Sequence, residues 1–221
     1  MTPPSYAIIA DIVHSRALSD RARAQKIFLH ALEHAGALRH LSQQPYATVG
    51  DEFQAAATTL YDALVFTLHT QLLLPAGLEL RFGIGYGQIF PISHDGSDST
   101  DPSTTIQDGE GWWRARAAID HAHAAQQRLP FTRTRCLLDS SQRTALANGY
   151  LALRDQTVAR LQERPRRMIA ASLDGSTRVQ IAQSLGVSPA AVSSVLTGSG
   201  AGLLESTDLL APLDEVEAAA N

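Results

Sequence analysis

The sequence of 221 residues holds one cysteine, Cys136, and one lysine, Lys26, against 17 arginines. A single cysteine excludes an internal disulfide and any CxxC zinc site. No apolar run approaches the roughly 18 residues of a membrane span. The N-terminal MTPPSYAIIADIV lacks the basic start of an export leader. The expectation is a cytoplasmic protein that meets no membrane. No GxxxxGK loop is present to cradle phosphates, and no Ser/His/Asp set carries an identifiable nucleophile turn. Aromatics are sparse at 6%, yet hydrophobic residues reach 44%. That content excludes a wholly disordered chain and suffices for one domain, or one plus an appendage.

The net charge of −4 is unevenly spread. Residues 160–204 carry Arg160, Arg164, Arg166, Arg167 and Arg178 against Glu163 and Asp174, whereas 205–221 carry five acids and no base. A basic segment followed by an acidic tail directs any polyanionic partner to the C-terminal part.

Periodicity then divides the chain. Residues 6–13 (YAIIADIV) read as a buried strand with Asp11 near its end. A helical pattern runs from Ser19, as N-cap, to Leu41, with Ile27, Phe28, Leu32, Ala35 and Leu38 on one side. PYATVGDEFQAAA, 45–57, has two half-strands around Gly50-Asp51, a hairpin signature. Residues 58–74 are helical, 78–92 alternate as one long strand, and 93–111 form a polar loop. An Ala-rich helix at 111–127 and a strand at 133–138 follow, and the pattern from Ser140 onward is helical, interrupted at Pro165, Gly175, Gly186 and Pro189. This order predicts an α+β sandwich, an antiparallel-rich sheet with helices on one face, and then an all-α segment.

A carboxylate on a buried strand is expensive unless it is paired or bound to a cation. If the first strand lies beside the hairpin, Asp11 and Asp51 converge, and such oxygens suit Mg²⁺ or Mn²⁺. The competing reading is that Asp11 caps the next segment and Gly50-Asp51 merely makes the turn; on these residues alone it is the stronger. The alternate glycines Gly83, Gly85 and Gly87 bare one face of a strand, to admit either a packed helix or a nucleotide.

Four stretches in order add to this: ADIVHSR at 10–16, VGDEFQA at 49–55, LRFGIGYGQI at 80–89, and the helix opening GWWRAR at 111–116. Together they resemble class III nucleotidyl cyclases and GGDEF diguanylate cyclases. They are more similar still to the SatD family, which pairs such a domain with a helix-turn-helix. The resemblance implies a ferredoxin-like, cyclase- or palm-like sheet. It also implies metal ligation by Asp11, the Ile12 carbonyl and Asp51, with Glu52 and Arg116 as the catalytic candidates, Arg116 on the phosphates. Arg81, in the Arg-x-Gly-Ile strand, and Trp112 and Trp113, as stacking surfaces, are the nucleotide-binding candidates. Two departures stand out: Trp112 occupies the place of the ribose-binding Asn, and no Lys that would select adenine lies in the region.

The pairs His30/His34 and His121/His123 read as surface or packing residues, since no third ligand accompanies them in the pattern. RVQIAQSLGVSPAAVSSVLT, 178–197, has the pattern of a helix-turn-helix. Ala182 allows close approach, Gly186 takes the turn, and Ser188 caps a helix that has Pro189 in its first position. Residues 165–174 supply a third helix. The second helix would present Ser188, Ala190, Ala191, Ser193 and Ser194 to a major groove, with Arg166, Arg167 and Arg178 holding phosphates. None of those groove residues makes a bidentate base contact.

The division is therefore a cyclase-like domain at 1–139, a helical linker and helix-turn-helix at 140–204, and a mobile acidic tail at 205–221. The leading expectation is a homodimeric regulator that binds a nucleotide with Mg²⁺ or Mn²⁺ and also binds DNA. One alternative is an active nucleotidyl cyclase or nucleotidyltransferase. Another is a plain DNA-binding protein whose sheet serves dimerisation.

Overall fold

A computed structural model describes residues 3–48, 50–92 and 106–212. The apolar run at Ser5–Ile12 forms strand β1 and is central to the sheet, so both of its faces are covered. The hairpin strands β2, Leu41–Ala47, and β3, Glu52–Ala57, lie on one side of it, turning through Gly50 at φ 85°. On the other side are β4, Leu80–Gly87, and, beyond it, a later strand at Thr134–Leu137. The order is β2-β3-β1-β4 and then that last strand, which alone runs parallel to its neighbour.

The expected single strand at 78–92 ends at Gly87. The Gln88 carbonyl accepts from Gly111 N instead, and Phe90–Ile92, β5, pairs with Ile106–Asp108, β6, in a separate ribbon. The expected polar loop is thus shortened at its C-terminal end; residues 93–105 lie outside the described residues. The strand at Thr134–Leu137 becomes β7.

Helix α1 spans Arg21–Gly36, and Asp20 rather than Ser19 caps it, its carboxylate accepting from Arg23 N at 2.9 Å. It stops at Gly36 because Leu41 is needed as the first residue of β2. Helix α2, Leu60–Leu73, is capped by Thr59, and α3 spans Glu110–Gln126. Alternation in β1 sends Tyr6, Ile8 and Ala10 into a core with Phe28 and Leu32 of α1 and Leu64 and Phe66 of α2. It sends Ala7 and Ile9 to the opposite face, against Trp112, Ala115 and Ile119 of α3. The prediction of helices on one face is thereby corrected, because α3 covers the second. It can do so because β4 carries glycines there: a Cβ on Gly83 would stand 2.2 Å from Ala115 O, and one on Gly85 2.2 Å from Ala115 N. The bare strand face admits a helix.

The remaining helices are α4, Ser141–Arg160; α5, Glu163–Leu173; α6, Arg178–Leu185; α7, Pro189–Thr197; and α8, Ala201–Leu210. Pro165 falls in the first turn of α5, where its missing N–H costs nothing, and so does not interrupt it. Gly186, at φ 62° and ψ 43°, ends α6, and the chain bends by 116° into α7. These helices pack into the body of the fold rather than around a core of their own. Met168, Ile169, Ile181, Val192 and Leu203 share one cluster with Leu68 and Leu72 of α2. Residues 205–210 of the expected mobile tail are the second half of α8, with Thr207 buried, while 213–221 lie outside the described residues. Among the described residues no single helix is long and apolar enough to cross a membrane.

Candidate functional site

Register brings three charges into a row. Asp11 of β1 is directly opposite Glu52 on β3 and Arg81 on β4. Opposed residues in neighbouring strands share a face, and here it is the face covered by α3. Arg81 Nη1 donates to Asp11 Oδ2 at 2.7 Å and Oδ1 at 3.1 Å. Its Nε and Nη2 donate to Gln126 Oε1 of α3, and Nη1 lies 3.5 Å from His123 Nδ1. Glu52 is gripped by Arg116 of α3 through both oxygens, at 2.6 and 2.7 Å.

Asp11, Ile12, Asp51, Arg81, His123 and Gln126 line an open cleft of about 680 Å³ beyond the end of β1. His14 also borders it, holding a left-handed φ of 56° that turns the chain out of the strand. Burial pushes the Asp11 carboxyl above its usual value and Arg81 pulls it back, while the like charge of Asp51 raises it again. Asp51 is half-buried at the hairpin turn.

The aromatic candidates stand elsewhere. Trp112 is buried among Ala7, Ile9, Ala115 and Ile119, and Trp113 is 65% exposed with Nε1 donating to Asp108 at 2.8 Å. Together with Ile9, Gln54 and Arg116 they line a second hollow of about 370 Å³. The residues expected at one nucleotide site therefore divide into two, with the Glu52–Arg116 ion pair joining them. Sequence reading missed His123 and Gln126. Their only signal was position on the helix, about two and three turns past Arg116.

The C-terminal candidates also divide. Ser188, Ala190, Ala191 and Ser194 are exposed at the start and outer side of α7, with Ser188 Oγ accepting from Ala191 N. Ser193 is half-buried and accepts from Arg178 Nη1 at 3.2 Å. Arg167 pairs with Glu163 at 2.8 Å. Arg166 turns inward, where its Nε donates to Leu161 O and burial lowers its basicity.

The sequence model of the SatD family matches residues 5–204. No curated protein matches the chain. Among solved structures, the guanylyl cyclase Cya2 is similar at 13% identity and a TM-score of 0.41, over 54% of this chain and 70% of that one. The adenylyl cyclase CyaB from P. aeruginosa is similar at 14% identity and 0.40, over 66% and 81%. A bacterial light-regulated adenylyl cyclase is similar at 13% and 0.41, over 61% of this chain; the chain spans 42% of that protein.

Proposed function

The chain belongs to the SatD family, and from that premise we propose that it is a nucleotide-responsive regulator. A nucleoside polyphosphate with Mg²⁺ or Mn²⁺ occupies the cleft at the end of β1, and the α6–α7 pair acts as a DNA-binding helix-turn-helix.

The observation that carries the first half is Asp11 itself. Its carboxyl is raised by burial and by Asp51, although Arg81 lies 2.7 Å away. A second cation beside both carboxylates relieves that repulsion, and hard oxygen donors suit Mg²⁺ and Mn²⁺. Asp11, Asp51 and the Ile12 carbonyl are the ligands by this reading. The ion supplies charge neutralisation for phosphates. Glu52 does not fit as a ligand while both its oxygens are held by Arg116; its place is to fix that guanidinium beside the cleft. Arg81 aims Asp11, and Trp113 offers an exposed ring in the adjoining hollow.

The test is thermal unfolding with each nucleoside triphosphate, with and without Mn²⁺, beside Asp11→Ala and Asp51→Ala. A ligand at a hundred times its dissociation constant adds about 2.7 kcal/mol. A metal-dependent shift with one nucleotide, lost in both variants, supports the reading; no shift with any nucleotide overturns it. Product formation lost in Asp51→Ala would convert the binder into a nucleotidyl cyclase or nucleotidyltransferase.

The second half rests on the 116° bend at Gly186 and the exposed start of α7. Such an angle and a short turn suit a helix entering a major groove. With few base-reading side chains there, affinity comes from Arg167 and Arg178 on phosphates, and a homodimer would double it over two half-sites. Retention on duplex DNA that falls with salt supports this. Absence of retention at low salt overturns it and leaves α6–α7 as a protein-interaction element.

A further inference from the structure

On the side of the sheet away from the cleft, three helices meet at an unexplained polar cluster. His34 stands in the last turn of α1, His69 on α2, and Asp174 at the end of α5. Asp174 Oδ1 lies 3.1 Å from His34 Nε2 and 3.1 Å from His69 Nε2. The two rings pack edge to face with centroids 5.6 Å apart, and the three nearest ligand atoms all fall within 4.8 Å of one another.

His69 is the informative member. Its side chain is 0% exposed, yet neither ring nitrogen has a hydrogen-bond partner; Nε2 is near the carboxylate but out of line with it. A buried polar group without a partner is costly, and an absent ion is one of the few explanations for it. Two ligand atoms about 2.1 Å from a tetrahedral ion are about 3.4 Å apart, close to the two 3.1 Å separations here.

We propose that His34, His69 and Asp174 bind one divalent ion of the zinc class. Its fourth position is open, and the ion ties α5 to the α1–α2 layer. Two imidazoles and one carboxylate suit zinc rather than magnesium, which demands six oxygens and keeps its waters. Burial also holds the His69 imidazole neutral, with its pKa lowered to about 4, and the neutral ring is the form that ligates. A groove of about 400 Å³ bordered by His30, His34 and Asp174 provides the entry path and room for a water ligand. Since α6, α7 and α8 share their core with α5 and α2, the ion fastens the whole C-terminal set of helices to the sheet body. The site is independent of the nucleotide reading.

The experiment uses the full chain, freed of metal and titrated with Zn²⁺ and separately with Co²⁺. The variants are His34→Ala and Asp174→Asn, with Asp51→Ala as a control in the other site. His34 is 44% exposed in its side chain, so its truncation leaves no buried void; circular dichroism checks the fold of each variant. The expected result is one Zn²⁺ per chain, a raised unfolding temperature, and the strong visible bands of tetrahedral Co²⁺. Excess Mg²⁺ should not compete. Each ligand variant should weaken Zn²⁺ at least about tenfold, and Asp51→Ala should not. No stoichiometric Zn²⁺ in the wild type, or wild-type affinity in both ligand variants, overturns the proposal.

Discussion

Arg81 grips Asp11 with a single nitrogen, Nη1 standing 2.7 Å from Oδ2 and 3.1 Å from Oδ1, while Nε and Nη2 are spent on Gln126. The guanidinium is thus fixed from strand and helix together, and the carboxylate it holds is the one at the mouth of the cleft. Exposed ion pairs are worth about 1 kcal/mol at most, and breaking a buried one costs about 3–5 kcal/mol. This pair, with side chains 8% and 31% exposed, lies between. Arg81→Ala should therefore cost about 2 kcal/mol in urea unfolding. Arg81→Lys should recover only part of it, because an ammonium cannot bridge Asp11 and Gln126 in the same fork.

The glycines of β4 and the glycine of α4 should respond oppositely to alanine. At Gly83 the new Cβ would meet Ala115 O at 2.2 Å, which only movement of α3 can relieve, so Gly83→Ala should cost about 3 kcal/mol. Gly149 is helical with nothing within 4 Å of its Cβ position. Gly149→Ala should stabilise by about 0.5–1 kcal/mol through helix propensity alone. Denaturant midpoints of the two variants check both signs.

Arg154 and Asp155 form an ion pair with both side chains fully buried. Asp155 Oδ2 accepts from Arg133 N and Thr134 N at 2.7 Å, while Arg154 donates to Leu64 O and Thr67 Oγ1. The pair ties β7 and α2 to α4. Arg154→Ala leaves a buried carboxylate without its cation, and a loss of about 3–5 kcal/mol is expected. Arg167→Ala, at an exposed pair on α5, should change stability by less than about 1 kcal/mol. Equal effects from the two would contradict the burial of Arg154.

Cys136 should be silent to thiol reagents until the chain unfolds. It is 1% exposed, and burial pushes its thiol from 9.0 up to about 12. Only the thiolate reacts, so alkylation at about pH 8 should occur in denaturant and not in buffer. The unfolded chain loses this proton first, so stability from the group is complete below pH 9.0 and is lost as pH rises toward about 12. At about pH 10 the loss should be about 1 kcal/mol. It is read as the difference in alkaline slope between the wild type and Cys136→Ala.

Much of the local structure was legible in the sequence because it depends on a few neighbouring residues. The β1 run, the hairpin around Gly50-Asp51, the left-handed Gly186 and the Ser188 cap before Pro189 all needed only backbone preference and side chains within a turn. Asp11 stood out too, as an acid inside an apolar strand, whereas Asp51 read by itself as a turn residue and became a candidate ligand only through the family resemblance.

Which residues meet those acids was decided by tertiary structure. Strand register alone set Glu52 and Arg81 on either side of Asp11. The docking of α3 on the β4 glycines then brought Arg116 to Glu52 and Gln126 to Arg81, while sinking Trp112 into the core. His34 and Asp174, 140 positions apart in sequence, meet at one oxygen only because α5 packs on α2. Neighbouring residues govern how the backbone turns. Contacts between distant residues are governed by which apolar faces must leave water together, and only the folded chain as a whole settles that.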